Sequence, residues 1–387
     1  MTDALKPRDA QEVEDAVRWA LGNDKALEVT GQGSKRAIGR PSQTDLTLEL
    51  SGLSGVTLYE PAELVLSAKA GTPLAEIEAL LEKNNQELAF EPMDYGPLLG
   101  LAAGLGTIGG TIATNLSGPR RIKAGAARDH VLGIRGVSGR GEVFKAGARV
   151  VKNVTGYDLP KLLTGSYGTL AALTSITVKV LPRPETEETI LVEGLDDTAA
   201  VPVMSLAMQS ACEVSGAAHV PGEGTFLRLE GIAASVAARR DGLAKLLARP
   251  VQILAAKASG TIWQRIRDVL VLADTPDRQV WRLSVTPSDA PALLAKLRGS
   301  LEIRYVLDWA GGLIWLDVPP TEDAAAAVIR GAMRSGHATL IRAPEGVRAA
   351  VDVFHPQAPA LAALSARVKD SFDPRQLFNP GRMSRGL

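Results

Sequence analysis

The sequence predicts an α+β protein of two domains, and three observations carry that expectation. At 387 residues the chain is too long for one compact core. Helical and strand periodicities alternate along it, with no repeat or low-complexity segment. At Pro182-Arg-Pro184 its character changes. Before that point short strands are punctuated by glycine-rich loops; after it, strands and helices alternate in the manner of helices laid over an antiparallel sheet. The expected boundaries are 1–183, 184–368 and a C-terminal segment 369–387.

The elements follow in order. Asp9 to Gly22 places Val13, Val17, Ala20 and Leu21 at helical spacing. Leu27 to Thr30 reads as a strand entering Gly31, and Leu46 to Leu50 and Leu64 to Lys69 as two more. Thr72 before Pro73 reads as a threonine cap with proline in the first turn of a helix over 74–84. Val131 to Lys145 has the pattern of a hairpin turning at Ser138 to Gly141. Leu159 to Leu163 reads as a short helix, and Leu173 to Leu181 alternates as a half-buried strand. In the second domain strands are expected at 189–192, 225–229, 281–285 and 314–318. Helices are expected at 199–210, 233–247, 262–272, 290–297 and 324–335, with one more in the tail after Leu361.

Composition excludes several classes. Lys plus Arg (43) equals Asp plus Glu (43), so the basic field of a non-specific nucleic-acid binder is absent. A lone cysteine, Cys212, supplies neither an internal disulfide nor an iron–sulfur cluster nor a structural zinc site, and reads as a small buried hydrophobe. The N-terminus, with early acids and no apolar core, does not read as a signal peptide. The uncharged run Tyr95 to Pro119 is too rich in glycine, threonine and proline for a membrane span.

Three loops carry the chemistry. In Val29-Thr-Gly-Gln-Gly-Ser-Lys35 a strand enters a turn with two glycines, where consecutive N–H groups can cradle an anion; taken alone it is equally an ordinary turn. In Gly104-Leu-Gly-Thr-Ile-Gly-Gly-Thr-Ile-Ala-Thr-Asn115 the GxGxxG spacing is met, but no β-branched strand precedes it and Gly118-Pro119 follows too soon for a long helix. A nicotinamide Rossmann site is therefore a poor reading and a second anion-cradling loop a better one. Lys152-Asn-Val-Thr-Gly-Tyr-Asp-Leu159 with Gly165-Ser-Tyr-Gly-Thr-Leu170 is the third. Three such loops in one domain suit an extended ligand with a diphosphate.

The run from Thr107 to Asn115, then Gly118-Pro-Arg-Arg121 and Arg128-Asp-His-Val-Leu-Gly133, resembles the second flavin segment of the FAD-linked oxidases of the vanillyl-alcohol-oxidase group. Residues 152–159 and 165–170 resemble their third segment, and Phe372-Asp-Pro through Asn379-Pro-Gly-Arg-Met383 their C-terminal signature. Within the group the likeness is greatest to the FAD-binding subunits of glycolate oxidases, over almost the whole chain. The resemblance implies a PCMH-type FAD-binding domain (1–183), an α+β cap domain (184–368), and a tail (369–387) that returns to the first domain. It implies that Gly31, Gln32, Gly33, Ser34 and Lys35 wrap the FAD diphosphate. Pro92, Thr107, Gly109, Gly110, Thr111 and Thr114 would line its diphosphate and ribityl side. Gly165, Ser166, Gly168, Thr169 and Leu173 would hold the remaining phosphate and adenine side, and Asn379 would reach back toward the flavin.

Some relatives attach FAD covalently through a histidine in the first loop; this loop has Ser34 and Lys35 instead, so the implied FAD is non-covalent. Catalytic relatives carry a histidine-rich metal cluster in the second domain. The four histidines here are scattered, and no metal is implied. The resemblance also implies a small 2-hydroxy-acid substrate, a sister FAD-binding subunit and an iron–sulfur subunit to receive electrons. It places the chain in the cytoplasm, any contact with the inner membrane being made through the complex. Two readings stand side by side: oxidation of the hydroxy acid by this chain, or a non-catalytic flavin-binding or structural role with the chemistry on the sister subunit. Arg267 and Arg282, each near a tryptophan, are candidates for gripping the substrate carboxylate, with cation–π packing or a surface salt bridge as the alternative. The basic run Arg120, Arg121, Lys123 and Arg128 either reinforces a phosphate site or forms a solvated face.

Overall fold

The structure, a computed structural model, describes residues 3–148 and 156–386. Strand β1 (Ala4–Leu5) leads into helix α1 (Ala10–Gly22), which starts where Asp9 accepts a hydrogen bond from Glu12 N–H and buries Val13, Val17 and Ala20. Strands β2 (Leu27–Thr30) and β3 (Leu46–Glu49) join β1 in a small parallel sheet, in the order β1-β3-β2. Next come β4 (Val56–Glu60), β5 (Val65–Lys69), α2 (Leu74–Glu82) and β6 (Gln86–Glu87). Thr72 does not cap α2: its hydroxyl donates to the Lys69 carbonyl at 2.7 Å and accepts from Gly55 N–H at 3.0 Å, and Pro73 alone opens the helix.

Three short helices follow, α3 (Ile108–Thr114), α4 (Arg121–Ala124) and α5 (Ala127–His130). The hairpin β7 (Val131–Ser138) and β8 (Val143–Gly147), helix α6 (Leu159–Leu163), and strands β9 (Ala171–Lys179) and β10 (Leu181–Pro182) complete this half. Its five-stranded antiparallel sheet runs β4-β5-β9-β7-β8, and β10 pairs with β6. Leu66, Ile77, Ile112, Ile176 and Val178 fill the core between that sheet and helices α2 and α3. No long helix follows the GxGxxG spacing, which rules out a dinucleotide-type βαβ unit.

The second half holds β11 (Thr186–Val192), α7 (Asp197–Gln209), β12 (Gly216–Val220), β13 (Gly224–Gly231), α8 (Ala233–Leu247), β14 (Gln252–Leu254) and α9 (Ala256–Arg267). Then come β15 (Gln279–Ser284), α10 (Ala290–Arg298), β16 (Arg304–Asp308), β17 (Leu313–Val318), α11 (Ala326–Ala332), β18 (His337–Arg342) and α12 (Glu345–Ala350). Eight strands make one antiparallel sheet in the order β14-β11-β13-β12-β16-β17-β15-β18. Helices α7, α8, α10 and α11 bury one face of it through residues such as Met204, Leu243, Leu294 and Ile329. The other face, with Val280, Val306 and Trp315, packs on Ile38, Met93, Tyr95 and Leu116 of the first half. Cys212 is partly buried against the helix-covered side.

Helix α13 (Pro359–Phe372) and the tail return to the first half. Val368 and Phe372 pack on its core, and buried Lys369 donates to the Thr169 carbonyl at 2.7 Å and to Asp373 at 2.6 Å. The boundary expected at 368/369 thus falls within a helix. Among the described residues no helix is long and apolar enough to cross a membrane.

Candidate functional site

Strand β2 delivers the first loop. Gly33 adopts φ +79°, where a side chain is strained, and the turn is closed by Arg36 N–H to Gly33 O at 3.0 Å. Gly31 lies against the second loop so closely that a Cβ there would come within 2.6 Å of Thr107 Oγ1. Thr107 caps α3 by accepting from Gly110 N–H at 3.2 Å. Thr114 donates its hydroxyl to the Gly110 carbonyl at 2.8 Å, and the Thr111 hydroxyl is buried without a hydrogen-bond partner.

The third loop brings Tyr167 (φ +54°) and Gly168 (φ +68°) to the same place. Asn379 holds them there. It is fully buried, donates its amide to the carbonyls of Tyr167 (3.1 Å) and Gly168 (3.0 Å), and accepts from Val29 N–H at 3.2 Å. The tail therefore ties the first loop to the third. The amide nitrogen donates twice and Oδ1 accepts once, so Asn379 positions the loops that frame the cleft. Residues 152–155, the start of the third motif, lie outside the described residues.

Between the loops lies a cleft that opens to solvent. Gly31, Gln32, Gly33, Ser34 and Lys35 line it on one side. Thr107, Gly109, Gly110 and Thr114 line the other, and Gly168 and Leu173 close it. Sequence reasoning missed Val29, Thr30, Leu50, Ala70, Ala113 and Ala171, whose small or apolar side chains carry no motif signal, and Arg36, Tyr167 and Arg382. Arg382 sits inside the C-terminal signature, which was the signal available for it. Gly165, Ser166 and Thr169 shape the third turn from behind, Thr169 bonding to the Ser166 carbonyl at 2.7 Å. Pro92 lines a second cleft instead, because the chain turns away after Glu91 toward the other half.

The cleft is lined by cations, Lys35, Arg36 and Arg382. The Lys35 ammonium approaches Ser34 Oγ at 3.4 Å and makes no ion pair there among the described residues. Burial lowers its pKa to about 8, with Asp94 opposing. Glu28 engages Arg36 and also meets Arg382 at 3.4 Å, and the Nε of Arg382 is buried without a partner. A lysine without an ion pair and glycines pressed to the wall fit a bound diphosphate.

The basic run has another fate. Arg120 is drawn into a buried network with Glu87 and Glu230, and Glu91 grips Arg228 at 2.7 and 3.0 Å. Against the cost of burial, Arg228 holds Glu91 below the ordinary carboxylate range. Lys123 faces Glu213 on the surface at 3.7 Å, and Arg128 donates to the Lys161 carbonyl at 3.0 Å. Arg121 lies 4.4 Å over the Trp309 ring. None of the four lines the nucleotide cleft.

Arg267 and Arg282 are not brought together. Arg267 lines the second cleft and is paired bidentately with its neighbour Asp268 (2.9 and 2.8 Å). Arg282 lies 5.0 Å from the Trp309 ring and 5.9 Å from the Trp315 ring, with its Nε buried and unpartnered.

The sequence profile described as "FAD binding domain" matches residues 4–147. The chain is 35% identical over 379 residues to the glycolate oxidase subunit GlcE of Escherichia coli (strain K12), covering 97% of both proteins. It is 29% identical over 203 residues to the glycolate oxidase subunit GlcD of Bacillus subtilis (strain 168), a match over 51% of this chain and 42% of that one. Among solved structures, p-cresol methylhydroxylase superposes with a TM-score of 0.75 at 12% identity, over 99% of this chain and 89% of that one. Alkyldihydroxyacetonephosphate synthase gives 0.72 at 16% identity, over 97% and 75%. At such identities these two structures establish the fold alone, a PCMH-type domain combined with an α+β region.

Proposed function

The chain belongs to the GlcE family of FAD-linked oxidoreductases, and on that premise we propose that it is the FAD-binding subunit of a complex that oxidises glycolate to glyoxylate. The observation that carries this reading is the cleft formed where the first and second loops meet Tyr167-Gly168, with Lys35 on its wall and without an ion pair among the described residues. The residues present fit the cofactor. Gly31 to Lys35 and Gly110 would hold the diphosphate, and Leu50, Ala70 and Leu173 offer an apolar wall. Among the described residues neither histidine nor cysteine lines the cleft, and the first loop carries Ser34 and Lys35, which supports non-covalent attachment.

Bound FAD supplies a two-electron acceptor for the hydrogen on the α-carbon of a 2-hydroxy acid. The chain's own part is to fix the cofactor by its phosphates, to exclude water by packing the eight-stranded sheet over the first half, and to offer a cationic anchor to the substrate. The domain division 1–183 and 184–368, with the tail completing the first, belongs to this proposal. So do a sister FAD-binding subunit and an iron–sulfur subunit as electron recipients, and a cytoplasmic location. Anaerobic addition of glycolate to the purified chain tests it: bleaching of the flavin bands is expected. Flavin that stays oxidised with glycolate, yet is bleached when the sister subunit is added, would assign the chemistry to that subunit.

A further inference from the structure

The face of the eight-stranded sheet that meets the first half carries several arginines, and most are accounted for. Arg228 is held by Glu91 at 2.7 Å. Arg342 is spent on the carbonyls of Leu98 (2.9 Å) and Thr275 (2.6 Å). Arg282 on β15 and Arg121 on α4 are different. They come from opposite halves of the molecule, both guanidinium carbons lie within 5.0 Å of the centroid of the Trp309 ring, and neither enters an ion pair among the described residues.

The surroundings do not neutralise them. The carboxyl of Asp308 accepts from Trp309 N–H at 2.7 Å, and burial pushes it up to about 7, so much of it is uncharged at neutral pH. Asp129, which accepts from Ala126 N–H at 2.9 Å, offsets the charge of Arg121 only in part and forms no ion pair with it among the described residues. His337 is held below its ordinary value by burial and then by Arg282, so it stays neutral. Tyr95 is fully buried against Trp315, and its hydroxyl has no hydrogen-bond partner. Two half-buried cations close enough to repel, beside an orphaned hydroxyl, form an arrangement that a small anion would complete.

The place matters as much as the charge. Tyr167 lines the nucleotide cleft, and Arg282 lies near enough for its charge to act on the hydroxyls of both Tyr167 and Tyr95. The arginine pair therefore adjoins the Tyr167 end of that cleft.

We infer that Arg121 and Arg282, set around Trp309 with Tyr95 beside them, form an anchor for a small carboxylate held between the two halves of the chain. Guanidinium forks match carboxylate geometry, and an indole wall excludes water without competing for hydrogen bonds. That the carboxylate belongs to a 2-hydroxy acid rests on the function proposed above; that an anion binds here does not. On this reading the chain takes the substrate itself rather than only relaying electrons.

Calorimetric titration of the full chain with oxalate, an unreactive carboxylate, tests the inference, with uncharged glycolamide as control. Saturable binding of oxalate and not of glycolamide is expected. Arg282→Gln and Arg121→Gln should each weaken it about tenfold or more, with flavin content and the thermal midpoint without ligand unchanged. Arg121 sits on the short helix α4 rather than inside the sheet, so its variant serves if Arg282→Gln does not fold. Wild-type affinity for oxalate in Arg121→Gln, equal binding of glycolamide, or no oxalate binding by flavin-loaded protein would overturn the anchor. Oxalate binding by a protein devoid of flavin bands would instead uphold the anchor and sink the cofactor assignment.

Discussion

Lys35 is the residue on which the cofactor's charge depends most. Its ammonium is buried beside Gly110, where a Cβ built on the glycine would lie 3.9 Å from Nζ, and it makes no ion pair with a carboxylate among the described residues. A charge-assisted contact of this kind contributes roughly 1.5–3 kcal/mol, so Lys35→Met should weaken FAD binding about ten- to a hundredfold, measured by fluorescence titration of the apoprotein. The pH dependence has a definite sign. Burial lowers the free-protein pKa of Lys35 to about 8, so below that pH the ammonium is present and affinity is constant. Above it, binding a diphosphate must draw a proton onto the amine, and affinity falls as pH rises; in Lys35→Met that limb should vanish. Gly110→Val places two methyl groups in the space of the phosphates and should leave the purified protein without flavin, checked by its absorption spectrum. At this scale the sequence was legible where glycine and hydroxyl residues recur in loops, because such loops have few other uses. It placed Tyr167 and Arg382 inside motifs without singling them out, since their part in the cleft comes from a left-handed backbone and from burial. It gave Pro92 the wrong cleft, since nothing in the sequence says which way a loop leaves Glu91.

The elements that hold the loops are as telling as the loops. Helix α13 and the tail act as a strap. Lys369 and Asp373 are both buried, Asp373 accepts from the N–H groups of Leu377 and Phe378 at 2.8 Å each, and the segment so fixed delivers Asn379 between loops one and three. Asn379→Ala would strand one N–H and two carbonyls in the interior. It should cost about 2–3 kcal/mol in urea unfolding and lower FAD affinity while leaving bound FAD spectrally normal. Helix α1 and strand β2 were readable because apolar spacing and an aspartate cap agree. Strands β12, β14, β16 and β18 were not. Gly216-Ala-Ala-His-Val220 has little β-branched content, and Arg304-Tyr-Val-Leu-Asp308 begins and ends on charge; their partners in the sheet, not their propensities, make them strands. The Thr72 cap failed for a related reason: tertiary contact with Gly55 captured the hydroxyl first.

At the scale of the molecule, the two halves are joined by apolar packing on one side and by arginines on the other. Arg40, just beyond the first loop, donates to the carbonyls of Ala349 and Val351 at 2.7 Å each, and Arg348 answers with a bond to the Gly39 carbonyl at 2.8 Å. These contacts link the cofactor loop directly to α12. Arg40→Ala should speed amide exchange across residues 345–351, with flavin content unchanged. Unaltered exchange there would show that the apolar interface alone holds the halves together. The change of pattern at Pro182-Arg-Pro184 falls between the five-stranded and the eight-stranded sheet, but how the two halves face each other is not legible, because the contacts that set it join residues some three hundred positions apart.

The most direct test of the whole account is the flavin itself. The chain, purified and denatured in acid, should release close to one equivalent of FAD into the supernatant and leave colourless polypeptide. A protein that carries no flavin and takes up none when FAD is added would contradict it.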